Sequence, residues 1–325
     1  MTILGGIDIG GTKCAVVLGK VTGDGVELLD KVKFPTPSTP EAALAALTEA
    51  LASLAQRAQI KVDAIGISCG GPLNSETGRV LSPPNLPGWD DIDVLSPFQA
   101  QFHVPVGLQN DANACALAEW KWGAGAGTRN MVFLTFGTGM GAGLILGGRL
   151  YTGANDMAGE VGHIRLEPDG PVGYGKAGSF EGFCSGGGIE KLARSCAKIW
   201  LDEGRAPSFC KTYDDLPAIT TEKVGIAAGE GDALALEIWQ TVGYQLGRGL
   251  AVLVDVLNPE KIVIGSIYAR QQALLEPVVL RQLEEESLAM SSSVCQVVPA
   301  GLGENVGDFA SLSVALYTLE ADGSQ

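Results

Sequence analysis

Basic residues are scarce in this sequence. Lys and Arg together number 22 against 37 Asp and Glu, which gives a formal net charge of −15. A protein of this charge is repelled by phosphate backbones and by anionic lipid surfaces. The charge balance therefore argues against nucleic acid and against membranes as partners.

Long hydrophobic runs are also missing. The most apolar stretches, such as residues 251–265, are broken by charge or proline before they reach the roughly 20 residues that a membrane-spanning helix needs. The first strand-like run begins at Ile3, which leaves no room ahead of it for a signal peptide, a transit peptide or a helix-turn-helix. We therefore expect a cytoplasmic protein that does not read DNA.

Histidine is rare, and the cysteines form no recognisable set. The chain has two His and seven Cys, and the Cys never occur as a C-x-x-C pair. An odd, scattered set argues against a disulfide framework and against a cysteine-rich metal site. We expect reduced thiols at Cys14, Cys69, Cys115, Cys184, Cys196, Cys210 and Cys295.

Two glycine-rich hairpins are the clearest repeated feature of the sequence. The first covers residues 4–20 and turns across Gly10-Gly11-Thr12, and the second covers residues 131–148 and turns across Gly137-Thr138-Gly139. A shift of 127 positions places Gly10 on Gly137. The correspondence indicates a duplicated domain in which each copy opens with a glycine-rich hairpin.

Strands alternate with helices in both halves, which is typical of an α/β fold. Periodicity predicts buried strands at 62–70 and 261–265, and helices at 41–58, 112–123, 188–200, 233–257 and 309–320. The glycine-rich stretch at 123–128 interrupts the pattern. We expect an N-terminal α/β domain of residues 1–124, joined by a C-terminal helix at about 307–325, and a second α/β domain of residues 125–306.

The segment Asp8-Ile-Gly-Gly-Thr-Lys13 is the first candidate site. Glycines let backbone amides approach a phosphate, and Thr12 and Lys13 add donors. A strand resumes directly after each glycine turn, so neither turn is a Walker A loop or a dinucleotide fingerprint, both of which open a helix. A tight turn without a ligand explains one hairpin equally well. The duplication favours two phosphate-binding segments, one per domain, that grip a triphosphate.

Asn110-Asp111-Ala-Asn113 comes directly before a predicted helix. Asn and Asp are preferred helix N-cap residues, so capping alone explains them. The helix dipole also keeps an aspartate at this position ionised, which suits a base that accepts a proton from an alcohol during phosphoryl transfer. Both interpretations hold together.

Glu160, His163 and Glu181 form a third group. Carboxylates and an imidazole can hold the hydroxyls of a polyhydroxylated ligand in a defined orientation. A lone histidine, however, is more often a structural residue. These three residues alone leave both possibilities open.

Together these motifs resemble the ROK family (repressor, open reading frame, kinase). The match runs over nearly the whole chain and also includes Gly70-Gly71-Pro72 and Pro84-Asn85-Leu-Pro-Gly-Trp89. The resemblance implies an ATP-dependent sugar kinase with the two-domain, actin-like ATPase (ribonuclease H-like) fold, built from duplicated mixed sheets with flanking helices. It also implies magnesium with ATP, and a homodimer.

The resemblance assigns a role to each candidate residue. Asp111 is the general base. The first phosphate segment is Asp8, Gly10, Gly11, Thr12 and Lys13, the second contains Thr138 and Gly139, and Gly265 contacts adenosine. The sugar contacts are Gly71, Asn85, Asn110, Asp111, Glu160, His163 and Glu181.

The chain departs from the family at its zinc signature, C-x-C-G-x-x-G-C-x-E. Val172, Tyr174 and Ser179 occupy the three cysteine positions, and none offers the thiolate that zinc favours. We expect no zinc, and we expect a hydrogen bond from a neighbour to orient His163 instead. Ser266 replaces the second of two glycines that relatives often show, so the adenosine pocket is expected to differ slightly.

Glucose is the expected sugar, because the full set of polar residues can hold every ring hydroxyl. Fructose, allose, mannose and N-acetylmannosamine stay open. A sugar-responsive repressor is the alternative from another class, which the acidic charge and the early first strand oppose. A catalytically silent sugar sensor is opposed by Asp111 and both glycine hairpins.

Overall fold

The computed structural model describes residues 2–23 and 25–323, and its strands and helices alternate along most of the chain. The strands are β1 (Ile3–Ile9), β2 (Lys13–Thr22), β3 (Gly25–Pro35), β4 (Ala64–Cys69), β5 (Leu73–Asn74), β6 (Arg79–Val80), β7 (Ile92–Asp93), β8 (Val106–Asn110), β9 (Met131–Leu134), β10 (Ala142–Leu146), β11 (Arg149–Tyr151), β12 (Val172–Gly173), β13 (Lys176–Ala177), β14 (Lys261–Ile264) and β15 (Gln296–Pro299).

The helices include all five that periodicity predicts. They are α1 (Pro40–Ala58), α2 (Ser96–Phe102), α3 (Asp111–Trp122), α4 (Phe180–Phe183), α5 (Gly186–Asp202), α6 (Thr221–Gly229), α7 (Ala233–Leu257), α8 (Ile267–Arg270), α9 (Gln272–Glu286), α10 (Ala289–Ser292) and α11 (Val306–Asp322). Short 3₁₀ turns lie at Val161–His163, Tyr213–Ala218 and Gly303–Asn305. No helix in the described part of the chain has both the length and the apolarity to cross a bilayer.

Two mixed five-stranded sheets have corresponding strand orders. The first is β3-β2-β1-β4-β8, with β1 antiparallel to β2 and parallel to β4. The second is β11-β10-β9-β14-β15, with β9 parallel to β14 and β10 antiparallel to β11. In each sheet a glycine turn follows the central strand. The predicted duplicated mixed sheets are therefore confirmed.

The chain divides into two compact units. Unit 1 comprises Met1–Arg129, Gly143–Ala158 and Gly301–Gln325, and unit 2 comprises Asn130–Ala142 and Gly159–Ala300. The first break lies between Arg129 and Asn130, slightly after the expected residue 124. Residues 143–158, which we expected in the second domain, belong to unit 1.

A row of glycines lets α11 lie directly on the first sheet. Gly6, Gly66 and Gly107 stand side by side in register on β1, β4 and β8. A Cβ on Gly66 would lie 2.1 Å from the carbonyl oxygen of Ser311, and one on Gly107 would lie 2.0 Å from Oγ1 of Thr318. Only hydrogen fits at these positions, because real Cβ contacts are far longer.

Helix α1 covers the other face of the same sheet. Gly5 and Gly6 point to opposite sides of β1, as successive strand residues must. A Cβ on Gly5 would meet Leu51 of α1 at 3.1 Å, whereas one on Gly6 would meet Ser311 of α11 at 2.4 Å. The layered packing leaves the carboxyl ends of β1, β4 and β8 at one edge, where the turn at Gly10, the turn at Gly70 and Asp111 follow.

Candidate active site

The first glycine turn packs against Asn85. A Cβ on Gly11 would lie 2.3 Å from the Asn85 carbonyl oxygen, and one on Gly70 would lie 3.2 Å from its Oδ1 atom. The turn is closed by a bond from the Gly10 amide to the Lys13 carbonyl oxygen, at 3.2 Å. The structure therefore brings together the predicted phosphate turn, the Gly70-Gly71 turn and the exposed Asn85, all within unit 1.

Asp111 opens α3 at the point where β8 ends. The Asn110 side chain accepts a 2.8 Å bond from the Asn113 amide, so Asn110 caps this helix. The Asp111 carboxylate is not used in the cap. Its Oδ1 atom accepts a 3.1 Å hydrogen bond from the Ser68 hydroxyl on β4. The capping interpretation thus holds for Asn110, while Asp111 stays accessible for chemistry.

Two carboxyl groups of unit 1 have raised pKa values. Burial, followed by the charge of Asp111, raises the pKa of Asp8 to about 7. Nearby protein atoms displace water from the Asp111 carboxylate, and this loss of hydration raises its pKa. The hydrogen bond from Ser68 lowers the pKa and so opposes that shift. A carboxylate with a raised pKa is a stronger proton acceptor than a free aspartate.

Lys31 and Lys33 of β3 form a cationic pair that sequence reasoning missed. Strand register places Lys33 opposite Ala15, which stands opposite Asp8, so all three share one face of the sheet. Lys31 forms an ion pair with Asp308 in the first turn of α11, and Lys33 lies 3.7 Å from the same carboxylate. Both lysines lower the pKa of Asp8 against the effect of burial. Only a prediction of β3 with its register would have revealed them.

In unit 2, Glu181 lies against the second glycine turn. Its Oε2 atom accepts a 3.1 Å bond from the Met140 amide, and a Cβ on Gly139 would lie 3.1 Å from the same oxygen. Partial burial, followed by the charge of Glu181, raises the pKa of Glu160, and His163 lowers it. The predicted sugar-contacting residues of unit 2 are therefore neighbours.

The residues at the family's zinc cysteines do not fit zinc. Val172 and Tyr174 are exposed on the β12–β13 hairpin, and Ser179 caps α4 through a 3.1 Å bond from the Gly182 amide. Among the described residues, no cluster of three or more His, Cys, Asp or Glu could hold a metal ion. Hydrophobic, aromatic and hydroxyl side chains are poor zinc ligands.

The hydrogen bond expected to orient the His163 ring is not formed by any residue of the described ranges. The ring instead makes an edge contact with Tyr174, with centroids 6.4 Å apart and planes at 77°. The Lys176 ammonium donates to the His163 carbonyl oxygen at 2.7 Å. The position of His163 is thus held through its backbone and through an aromatic neighbour.

Unit 2 contains a cavity of about 650 Å³ beside the second glycine turn. Thr138 lines this cavity, whereas Gly265 does not. Gly265 is buried, and its amide donates to the Leu134 carbonyl oxygen. The neighbouring Ser266 faces the cavity instead. The lining residues are Gly137, Thr138, Gly186, Gly187, Glu190, Thr220, Thr221, Glu222, Ser266, Ile267, Arg270 and Gln271.

Known proteins similar to this chain include sugar kinases and a related regulator. Glucokinase of Halalkalibacterium halodurans is 33% identical over 309 residues, which cover 93% of this chain and 91% of the relative. A ROK family glucokinase from Streptomyces griseus, solved in complex with glucose and AMPPNP, is 28% identical with a TM-score of 0.73, covering 97% of this chain and 99% of that one. A ROK family transcriptional regulator, a homologue of the E. coli MLC protein, is 25% identical with a TM-score of 0.84, covering 98% of this chain and 78% of that one.

The fold is the actin-like ATPase fold of these sugar kinases. The family model described as ROK family matches residues 4–315. Since this match spans both units and each candidate motif, the chain belongs to the ROK family.

Proposed function

We propose that this chain is an ATP-dependent hexose kinase that transfers the γ-phosphoryl group of ATP to a sugar hydroxyl, with glucose phosphorylated at carbon 6. The observation that carries the proposal is the Asp111 carboxylate, bonded to Ser68 and placed close enough to Asp8 to raise its pKa. The similarity to glucokinases along nearly the whole chain supports it.

In the proposed reaction, the sugar hydroxyl oxygen attacks the γ-phosphorus while the bond to the bridging β,γ-oxygen breaks and ADP leaves. Asp111 accepts the hydroxyl proton. Little covalent chemistry is required of the protein, so catalysis comes mainly from positioning and from charge stabilisation. The raised pKa of Asp111 makes it a better acceptor of the sugar hydroxyl proton than an ordinary aspartate.

The two glycine turns are proposed to bind the phosphates. Gly10 closes the first turn through its bond to Lys13, the Gly11 amide, the Thr12 hydroxyl and the Lys13 ammonium are its proposed donors, and Thr138 and Gly139 are the proposed donors of the second turn. Magnesium, when bound with ATP, neutralises phosphate charge, and Asp8 offers the oxygen ligand that this ion prefers. Gly265 supports the wall beside which adenosine binds.

The sugar is proposed to bind through polar groups of seven residues. Carboxylates and amides accept and donate in fixed directions, so each selects one hydroxyl orientation. These residues are Gly71, through its backbone, and Asn85, Asn110, Asp111, Glu160, His163 and Glu181, through their side chains.

A coupled assay that follows ADP release over a hexose panel tests the proposal. We expect glucose to have the highest kcat/KM among glucose, mannose, allose, fructose and N-acetylmannosamine. Asp111→Asn keeps the shape of the side chain but cannot accept the proton, so kcat should fall by about 10²–10⁴-fold while calorimetry still detects sugar binding. Phosphorylation of no hexose by the wild-type protein would refute the kinase proposal.

A second candidate function is a sugar-responsive regulator without catalysis. The similarity to a ROK transcriptional regulator favours it. Glucose binding without turnover would identify such a sensor, whereas ADP release that requires glucose would exclude it. A homodimer is also proposed from the family resemblance, and light scattering of the purified protein tests it.

A further inference from the structure

Ser266 has a backbone conformation that residues with a side chain rarely adopt. It stands between β14 and α8, directly after the buried Gly265, with φ of 52° and ψ of −106°. This region suits glycine, because a Cβ there crowds the adjoining peptide groups. Folded proteins retain such strain chiefly where the residue serves a site.

The Ser266 hydroxyl is not used to stabilise the helix that follows. Serine before a helix usually accepts a hydrogen bond from the second or third helical amide. Ser179 and Ser185 do this for α4 and α5, but Ser266 makes no such bond to α8. Nor does any other residue within 2–23 and 25–323 bond to this hydroxyl.

The hydroxyl lies beside the second glycine turn. Ser266 lines the 650 Å³ cavity together with Gly137 and Thr138. Its Oγ is the nearest atom, at 3.9 Å, to a Cβ placed on Gly137. The Gly186 amide at the start of α5 donates to the Gly137 carbonyl oxygen at 2.7 Å, which ties the turn to that helix.

This corner of the cavity suits an anion. The first turn of the 17-residue α5 lines the cavity with Gly186 and Gly187, so the positive end of this helix dipole faces an approaching anion. Of the two carboxylates in the lining, Glu190 is paired with Arg194 at 2.9 Å. Glu222 lies at the start of α6 and is exposed to solvent, so water weakens the effect of its charge on the cavity.

We propose that the Ser266 hydroxyl donates a hydrogen bond to the phosphate chain of the nucleotide bound in this cavity, so that Ser266 is a binding residue for the phosphoryl donor. The inference rests on the proposed kinase function and extends it to a residue outside both glycine turns. A hydroxyl bonded to a charged phosphate oxygen forms a stronger bond than one to a neutral group. That bond offsets the strain of a serine where glycine would be relaxed.

Isothermal calorimetry of two variants with AMPPNP, ADP and adenosine tests this assignment. Ser266→Ala keeps the Cβ and its strain but removes the hydroxyl, whereas Ser266→Gly removes both. We expect each variant to bind AMPPNP and ADP about tenfold more weakly, which is the usual effect of losing one hydrogen bond to a charged group. Adenosine, which lacks phosphate, should bind as it does to the wild-type protein.

Thermal unfolding separates strain from binding. Ser266→Gly should melt about 2 °C above Ser266→Ala, because glycine adopts the native conformation without a clash. A variant that is more stable yet binds nucleotide less well is not expected of a purely structural residue. Ser195→Ala is the matched control, since its hydroxyl bonds the Lys191 carbonyl oxygen within α5 and it should leave all three affinities unchanged.

The possible failures are distinguishable. Unchanged AMPPNP affinity in both variants would overturn the role of Ser266 and leave the kinase proposal standing. An equal loss for adenosine would overturn the assignment to phosphate. A wild-type protein that binds no adenine nucleotide would overturn the kinase proposal itself. If Ser266→Ala fails to fold, Ser266→Gly carries the test alone, because it relieves strain.

Discussion

The Ser68 hydroxyl on β4 donates a 3.1 Å hydrogen bond to the Asp111 carboxylate at the start of α3. Crowding by protein atoms raises the pKa of Asp111, and this bond lowers it because it favours the ionised form. The two effects are opposed, so the proton affinity of the proposed base depends on a buried neighbour on another element.

Ser68→Ala should therefore shift the acid limb of the kcat/KM profile to higher pH. With the bond lost, Asp111 binds its proton more tightly and becomes ionised only at higher pH, while activity on the alkaline side is largely kept. Profiles measured from pH 5 to 9 check this. Ser313→Ala is the matched control, a buried serine of α11 that bonds backbone carbonyls instead. An unshifted limb in Ser68→Ala would separate Asp111 from the titrating base.

Asp8→Asn should change how stability depends on pH. The folded-state pKa of Asp8 is about 7, above its ordinary value of 3.8, so the folded state binds this proton more tightly than the unfolded state does. Its contribution to the free energy of unfolding is therefore present at low pH and is lost as pH rises from about 4 to about 7. The variant escapes this loss, so it should melt above the wild-type protein at pH 8, with a smaller difference at pH 5.

Asp30→Asn offers a control of opposite sign. The Lys31 amide and Arg57 lower the pKa of the exposed Asp30 below 3.8, so its stabilising contribution is lost only below that pH. Asp30→Asn should therefore melt below the wild-type protein by a similar amount at pH 5 and at pH 8. Calorimetric melting temperatures of both variants at the two pH values decide the matter. An Asp8→Asn protein that melts below wild type at pH 8 would mean that ionised Asp8 stabilises the fold, contrary to the raised pKa.

Gly66→Ala should destabilise unit 1. The added Cβ would lie 2.1 Å from the Ser311 carbonyl oxygen and 2.3 Å from the Ala315 amide nitrogen, so α11 would have to move off the sheet. Overpacking of this kind costs about 3 kcal/mol or more of unfolding free energy. Gly229→Ala, at the end of α6 where a Cβ meets no atom within 4 Å, should be neutral or stabilise the protein by about 0.5 kcal/mol. Urea denaturation of both variants measures the contrast, and similar values would refute the role of the glycine row.

Local patterns predicted the parts of the fold that depend on neighbouring residues. The Gly10 and Gly137 turns, the amphipathic α1 and the capped start of α3 each lie within one short segment, so spacing and residue type suffice. The resemblance then grouped Asp111 and Glu181 with residues far along the chain. Their spatial grouping within each unit could not be derived from periodicity.

The features that escaped prediction depend on contacts between distant segments. β3 is an edge strand with Leu28 and Leu29 both exposed, so it lacks the alternation of a half-buried strand. Its lysines near Asp8 were missed with it. The conformation of Ser266 and the register of Gly66 with Gly107 likewise leave no signal in the residues beside them.

The purified protein should contain no stoichiometric zinc. Val172, Tyr174 and Ser179 supply no thiolate, and Ser179 is occupied in capping α4. Prolonged treatment with EDTA, followed by removal of the chelator and addition of magnesium, should leave the KM for sugar unchanged. Elemental analysis and that KM are the measurements. One zinc per chain that survives dialysis would mean that residues outside the family signature complete a site.

Replacement of His163 by Ala should weaken sugar selection and catalysis together. His163 lies near Glu160, whose pKa it lowers, and its ring contacts Tyr174. In the proposed function its imidazole bonds a sugar hydroxyl other than the one that is phosphorylated. A hydrogen bond lost from a site built for particular hydroxyls costs about 1–3 kcal/mol, which is roughly a 5- to 150-fold loss in kcat/KM.

The loss should appear in both kinetic constants, because a sugar that is held less firmly is also less well aligned with Asp111. His103→Ala, which replaces the exposed histidine after α2, is the matched control and should behave as wild type. The hexose panel is measured for both variants. The ratio of kcat/KM for glucose to that for mannose or allose should fall in His163→Ala, since one of the contacts that distinguish epimers is gone. An unchanged ratio would place His163 outside the sugar site. A wild-type preference of tenfold or more for N-acetylmannosamine or fructose would overturn glucose as the substrate and leave the kinase proposal intact.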